Sequence, residues 1–265
     1  PYTLHATLLE EGQYPRSVRT LYRILAAEDQ LRERRHVRQH PHYAKPELLA
    51  TGPNQLWSWD ITKLKGPAKW TYFYLYVLLD IFSRYAVGWM VADRENSALA
   101  GRLITETCHK QCVEPQVLTL HSDRGAPMTS KCTAQLLADL GVTRSLSRPQ
   151  VSDDNPFSEA QFKTVKYHPG FPNRFPDIDA AIAFCRSFFP WYNTEHRHGG
   201  IAMLTPDDVH HDRAKAVLEQ RQRALHLAWV KNPERFVQGI PKPSPLPEEV
   251  WINPPPTLTK GGTAQ

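Results

Sequence analysis

Apolar and polar positions along the chain repeat in some segments with the period of a strand and in others with that of a helix. Aromatic and β-branched residues dominate 54–64, 71–80 and 84–92, which is typical of a half-buried antiparallel meander. Two shorter strands are predicted at 116–121 and 143–146, and helices are predicted at 97–110, 130–140, 155–166 and 177–195. This order of elements predicts a mixed α/β sheet with helices on its faces.

The first 30 residues carry a separate helical pattern. Gly12 and Pro15 interrupt it, and Ser17 is a good N-cap for a second helix. Three arginines lie on or just ahead of the polar side of that helix: Arg16, Arg19 and Arg23. The pattern is compatible with a helix-turn-helix reader of the major groove and equally with a solvated helical hairpin. Because the chain starts at Pro1, we expect a preceding helix to be missing.

Composition divides the rest of the chain into further segments. Residues 31–52 are polar, basic and rich in histidine, so we expect a basic linker there. Residues 53–206 hold the predicted sheet and form the core. A charged helical extension is predicted at 207–238, and the proline-rich tail 239–265 is predicted to be extended or disordered.

The net charge of +5 and a pI near 9.0 favour a polyanionic partner, although many basic proteins bind no nucleic acid. No apolar stretch is long enough to span a bilayer, so no membrane is expected. No pair of the four cysteines forms a Cys-x-x-Cys motif, and we expect free buried thiols in a reducing cytoplasm; they are Cys108, Cys112, Cys132 and Cys185. His36 and His40 have a spacing that can start a zinc site, but nothing completes it.

Three carboxylates stand in flanks of different kinds. Asp60 lies in a predicted strand, Asp123 lies where a short strand ends ahead of Gly125, and Glu159 lies near the start of a predicted helix that Asn155 is expected to cap. Three carboxylates brought together in this way can hold two Mg²⁺ ions, and such two-metal sites catalyse in-line attack on a phosphodiester. The alternative is that each is a solvated surface charge.

Other acidic residues compete with these three. Asp80 ends a strand and precedes Arg84, so we expect a local salt bridge. Asp153 and Asp154 are predicted to be loop residues ahead of the helix.

Basic residues near the carboxylates are candidates for contact with DNA phosphate. Lys163 and Lys166 follow Glu159 by four and seven positions and share its helix face. For Lys163 the alternative is an i,i+4 salt bridge with Glu159. Arg124 adjoins Asp123. A polar, basic turn holds His196 and Arg197, and the equal alternative for these two residues is that their positive charge stabilises the C-terminus of a helix.

Several strings of residues between Trp57 and Pro206 resemble the integrase-like catalytic core of OrfB-type insertion-sequence transposases. The strings are Trp57-Ser58-Trp59-Asp60-Ile61-Thr62, His121-Ser122-Asp123-Arg124-Gly125, Ser152-Asp153-Asp154-Asn155-Pro156-Phe157-Ser158-Glu159, Tyr192-Asn193, His196-Arg197-His198 and Leu204-Thr205-Pro206. The 35 residues between Asp123 and Glu159 are the spacing of that family, and Lys166 falls where the family carries a basic residue.

The resemblance implies a ribonuclease H-like fold with the triad Asp60, Asp123 and Glu159. It implies two Mg²⁺ or Mn²⁺ ions, cleavage of a DNA strand by water, and strand transfer by a 3′-hydroxyl. The expected partner is double-stranded DNA, both element ends and target, bound by a homo-oligomer in a bacterial cytoplasm near the nucleoid. The first 30 residues resemble a shortened form of the family's upstream helix-turn-helix. A nuclease without strand transfer and an inactive DNA-binding repressor remain the alternatives.

Overall fold

The structure is a computed structural model that describes residues 1–28, 30, 43–149, 151 and 154–255. The chain divides into two compact units, Pro1–His42 and Tyr43–Gln265. The predicted linker falls mostly outside the described residues, as do His36, His40 and Asp153. No helix of the described segments is long and apolar enough to cross a membrane.

The first unit contains two helices, α1 (Tyr2–Glu10) and α2 (Val18–Ala27). Ser17 caps α2 by accepting a hydrogen bond from the backbone N–H of Thr20, which confirms the predicted N-cap. The side chains of Arg16, Arg19 and Arg23 are exposed.

The second unit is built on a five-stranded sheet in the order β4-β3-β2-β5-β6. The strands are β2 (Leu56–Lys65), β3 (Tyr72–Asp80), β4 (Ala86–Ala92), β5 (Thr119–Ser122) and β6 (Thr143–Leu146). Strands β2, β3 and β4 form the predicted antiparallel meander, whereas β2, β5 and β6 run parallel. This mixed sheet, flanked by helices, is the ribonuclease H-like fold that the sequence predicts.

Helices cover both faces of the sheet. The helices that follow β4 in the chain are α3 (Ser97–Lys110), α4 (Ala126–Thr129), α5 (Lys131–Asp139), α6 (Pro156–Lys166), α7 (Ile178–Thr194), α8 (Pro206–His210) and α9 (Ala214–Lys231). Trp57 and Trp59 face a core that includes Leu103 and Leu137 from α3 and α5. Leu64 and Leu75 face a second core with Phe162 of α6 and Phe188 of α7.

The proline-rich tail contains a short strand that the sequence does not single out. Residues Val250–Ile252 form β7, which pairs antiparallel with β1 (Leu48–Ala50). Val250 and Ile252 are buried in a third core together with Leu56 and Ile201. The predicted linker therefore ends in a strand, and the predicted proline-rich tail contains a second one. Both strands have three residues, too few for alternation to be recognised in a sequence.

Two of the four cysteines also differ from expectation. Cys108 and Cys185 are buried, as predicted, but Cys112 and Cys132 are exposed. Burial raises the pKa of the Cys108 thiol to about 11, so this residue is an unreactive part of the core at neutral pH.

Candidate active site

The strand register brings the two aspartates to one edge of the sheet. Trp59 of β2 pairs with Ser122 of the parallel strand β5. Continued by one residue, this register sets Asp60 beside Asp123, at the roughly 4.8 Å spacing of neighbouring strands. The two aspartates are positioned in the same way, because each directly follows one member of this buried pair, Trp59 or Ser122.

The neighbouring strand β6 extends the pattern. Because side chains alternate between the two faces, residues two apart share a face. His121 pairs with Ser58 on one side and with Ser145 on the other. Two positions further along, within β2 and just past the ends of β5 and β6, the same face carries a second row, which consists of Asp60, Asp123 and Ser147.

Helix α6 packs across this face of β2 and carries Glu159 in its first turn. Ser158, the residue before Glu159, hydrogen-bonds to Ser58 through the two hydroxyl groups. At the other end of the helix, Lys166 Nζ donates to Thr62 Oγ1 at 2.8 Å. These two contacts fix the helix along the strand on either side of Asp60.

The pKa of Asp60 is affected by the charges of both other acids. Burial, followed by the charges of Asp123 and Glu159, raises the pKa of the Asp60 carboxyl to about 7. The backbone N–H of Ile61, which donates to Asp60 Oδ1 at 2.7 Å, and the ammonium of Lys166 act in the opposite direction. The three carboxylates thus form one coupled acidic group, in which the charged form of Asp60 is the costly one.

Buried hydrogen bonds tie together the elements that carry the acids. His121 Nε2 lies 3.0 Å from the backbone oxygen of Asp154, just ahead of α6. A carbonyl oxygen only accepts, so Nε2 bears the proton and Nδ1 accepts from Ser145 Oγ at 2.9 Å. Burial lowers the pKa of His121, which keeps the ring neutral and this tautomer in place. Ser147 Oγ donates to Asp123 Oδ1 at 2.7 Å.

Asn155 departs from its predicted role. It is the N-cap of α6 by position, but its side chain caps no helix N–H. Its Oδ1 instead accepts a hydrogen bond from Ser58 Oγ. The side chain therefore joins the start of α6 to β2, and Pro156 alone supplies the preorganised first turn.

Asp80 and Asp154 are not part of the coupled group. Asp80 accepts from the backbone N–H groups of Ser83 and Asn54 and from the Ser83 hydroxyl, and it forms no salt bridge with Arg84. The Arg84 guanidinium instead donates to the Ile81 carbonyl and lies 4.2 Å from the Phe157 ring centroid. The predicted Asp80–Arg84 salt bridge is therefore wrong, because the tight turn supplies backbone donors that reach the carboxylate first.

Asp154 is not the solvated loop residue that the sequence predicts. It is fully buried, and Arg148 donates to its carboxylate from the backbone and from the guanidinium at 2.8–3.0 Å. Burial raises its pKa, but the hydrogen bonds from Arg148 and Asn253 outweigh that effect and lower the pKa to about 2. Asp154 is consequently a charged residue at neutral pH that holds the segment entering α6.

The candidate DNA contacts of the second unit have varied surroundings. Lys163 is exposed and forms no ion pair with Glu159, so the salt-bridge alternative is wrong. Arg124 Nε donates to the Ser147 carbonyl at 2.8 Å, and its guanidinium lies over the ring of Tyr43. Arg197 donates to the Met203 carbonyl, and His196 stacks on Tyr192.

The sequence predicts no role for Ser58, Thr62, His121 or Ser147, and it predicts a helix cap for Asn155, whereas all five residues organise the site. A signal for some of them was present, since Ser58 and Thr62 are two positions from Asp60, and His121 is two positions from Asp123. In a strand that spacing means the same face. Ser147 and Asn155 depend on long-range pairing, for which the sequence holds no local signal.

The fold and the carboxylate edge define a domain of the ribonuclease H-like class. Two family models, both described as integrase core domain, match residues 50–152 and 140–206, which together span more than half of the chain. The chain belongs to the integrase core domain family and is related to the insertion-sequence transposases that carry such a core.

Curated relatives match over the same region. A transposase for insertion sequence element IS904 of Lactococcus lactis is 30% identical over 171 residues, covering 62% of this chain and 66% of that protein. Transposase InsF for insertion sequence IS3A of Escherichia coli is 28% identical over 165 residues, covering 61% and 55%. The chain thus spans between about half and two thirds of the length of these relatives.

Solved structures with a similar fold include viral integrases. The HTLV-2 integrase catalytic core domain in complex with magnesium, in its dimeric form, is 16% identical, with a TM-score of 0.45 and coverage of 60% of this chain and 98% of that one. A simian T-cell lymphotropic virus intasome is 20% identical, with a TM-score of 0.48 and coverage of 65% and 60%.

Proposed function

We propose that the protein is a DNA transposase that cleaves a DNA strand at the ends of an insertion sequence and transfers it to a target. The observation that carries this proposal is the coupled acidic group of Asp60, Asp123 and Glu159 at one edge of an integrase core domain. We assign these three residues as the catalytic residues. A purely structural role for Asp60 is disfavoured, because burial, followed by the charges of Asp123 and Glu159, makes its charged form costly.

The three carboxylates suit divalent ions such as Mg²⁺ or Mn²⁺. Oxygen donors are the ligands that these hard cations prefer, and the raised pKa of Asp60 marks a place where added positive charge is stabilising. As the side chains are placed, no three His, Cys, Asp or Glu residues among those described surround a single point. Asp60 Oδ1 and Asp123 Oδ1 are engaged by Ile61 and Ser147, bonds they would exchange for an ion.

The ions, two in the proposal, would be held by Asp60, Asp123 and Glu159 and would supply Lewis-acid stabilisation of the charge on the phosphoryl group. The chain's own residues do the positioning. Asp60 is held within β2, Asp123 directly follows the parallel strand β5, and Glu159 is held by the Ser58–Ser158 contact one residue away. The Lys166 ammonium, near Asp60, provides a positive charge for the DNA phosphate next to the scissile bond.

Recognition of DNA is proposed for basic residues in both units. The exposed arginines of the first unit, Arg16, Arg19 and Arg23, are assigned to the element end. In the second unit the assigned residues are Arg124, Lys163, Lys166, His196 and Arg197. We further propose that the protein acts as a homo-oligomer on double-stranded DNA in the bacterial cytoplasm, with residues 53–206 as its catalytic core.

The test is a strand-transfer assay with labelled duplexes taken from both ends of the DNA segment that encodes the chain. We expect joined products in Mg²⁺ or Mn²⁺ and none with EDTA. Cleavage without joining would support the nuclease alternative. DNA binding without either reaction, under the same conditions, would support the repressor alternative and contradict the proposal.

A comparison of two lysines on one helix tests the phosphate contact. Lys166→Ala is expected to lower strand transfer and to reduce the salt slope of DNA binding by about one unit, because one phosphate contact is lost. Lys163→Ala is the matched control, one turn closer to Glu159 and without the link to Thr62. We expect it to affect strand transfer much less. Equal effects of the two variants on strand transfer would show that the position of Lys166 beside Asp60 has no special role.

A further inference from the structure

The C-terminal strand β7 returns to the start of the second unit. All three of its residues pair with β1, in the register Val250 with Ala50, Trp251 with Leu49, and Leu48 with Ile252. Ile252 is fully buried and Val250 nearly so, in the core that also contains Leu56, the first residue of β2. The end of this strand is therefore held at a defined place next to the catalytic sheet.

Asn253 follows β7 and points to the segment ahead of α6. Its φ of 56° is in the left-handed region, which asparagine tolerates better than most residues. Its Nδ2 donates to Asp154 Oδ1 at 2.8 Å, across 99 positions of sequence. Together with the three bonds from Arg148, this gives the buried carboxylate four donors.

Asp154 lies where the elements of the acidic site are joined. Its backbone oxygen accepts from His121, which is two residues before Asp123. The next residue, Asn155, accepts from Ser58, which is two residues before Asp60. Glu159 follows five positions after Asp154 on the helix that begins here. The geometry of this short segment therefore sets the position of Glu159 relative to the two aspartates.

We infer that Asn253 is a positioning residue for catalysis, through which the C-terminal strand β7 holds Asp154 and so the entry of α6. Without this bond Asp154 loses its donor from outside the segment, and the first turn of α6 is held less firmly over the sheet. The inference rests on the proposed function for its effect on strand transfer. Its structural part, the restraint of α6, stands independently of any reaction.

The test uses two substitutions that keep the backbone conformation. Asn253→Gly accepts the positive φ and removes only the side chain, whereas Asn253→Asp also tolerates it but sets a second carboxylate against Asp154. We expect faster amide hydrogen exchange in the first turns of α6 in both variants, larger for Asn253→Asp, with α7 unchanged. Strand transfer should fall roughly ten- to a hundredfold, the cost of a small misplacement of a catalytic group, while the Kd for the element end stays the same.

A reciprocal exchange of the two side chains provides the rescue. In the double variant Asp154→Asn with Asn253→Asp, an amide again faces a carboxylate, so α6 exchange and strand transfer should recover relative to the sum of the two single variants. Unchanged α6 exchange in Asn253→Gly would overturn the inference, as would an equal increase in α6 and α7, which shows general destabilisation. If the wild-type protein transfers no strand, the proposed function fails, and hydrogen exchange still decides the inference.

Discussion

Asp60→Asn, Asp123→Asn and Glu159→Gln are each expected to reduce strand cleavage and strand transfer by at least two to three orders of magnitude, the scale on which a single electrostatic stabiliser contributes to catalysis. The amide keeps the shape of each side chain but lacks the charge that a divalent ion requires. The measurement is the rate of product formation on labelled element ends in Mg²⁺. Binding of the same DNA without metal should change little.

The structure adds a second readout to this experiment. Because burial and the neighbouring carboxylates raise the pKa of Asp60 to about 7, ionisation of this residue above pH 7 lowers the free energy of unfolding. Asp60→Asn should therefore be at least as stable as the wild-type protein in metal-free urea unfolding at pH 8. Asp93→Asn, an exposed aspartate after β4, is the matched control and should alter neither activity nor stability. A triad variant with near-normal activity would remove that residue from the catalytic set.

Local information in the sequence is enough to predict the sheet and to single out the three acids as candidates. The meander is recognised because β2, β3 and β4 are long and rich in aromatic and β-branched residues. Asp123 and Glu159 are recognised because a glycine turn and a Pro at the first helical position mark the ends of their elements. These signals are short-range, and tertiary structure agrees with them.

The parts that could not be predicted depend on partners distant in sequence. The Asn253–Asp154 bond spans 99 positions and the Ser58–Asn155 bond spans 97. Helix α4 has four residues and each strand of the β1–β7 pair has three, lengths at which periodicity is not measurable. Asp154 looked like a loop residue because nothing in its own segment shows that Asn253 and Arg148 will enclose it.

Two buried histidines are expected to make the fold sensitive to acid. Burial, followed by the positive charges of His196 and Arg84, lowers the pKa of His198 to about 3. Burial, followed by His211, lowers the pKa of His210 to about 4. Between about pH 4 and pH 6.5 the unfolded chain binds protons at both positions while the folded chain does not. The free energy of unfolding contributed by these residues therefore falls as the pH drops through that window.

The size of the effect is about 2–3 kcal/mol for each histidine at pH 4, from the difference between the folded and unfolded pKa values. Asp60, whose folded pKa is raised to about 7, contributes with the opposite sign over the same window, so the total pH dependence of the protein's stability does not isolate the two histidines.

The measurement is instead the difference in urea unfolding free energy between the wild-type protein and the double variant His198→Gln, His210→Gln. Asp60 is present in both proteins and cancels. At pH 7.5 the double variant should be the less stable protein, and its deficit should shrink by several kcal/mol as the pH falls to 4. A deficit that does not change with pH would mean that these two histidines are protonated in the folded protein as readily as in the unfolded chain.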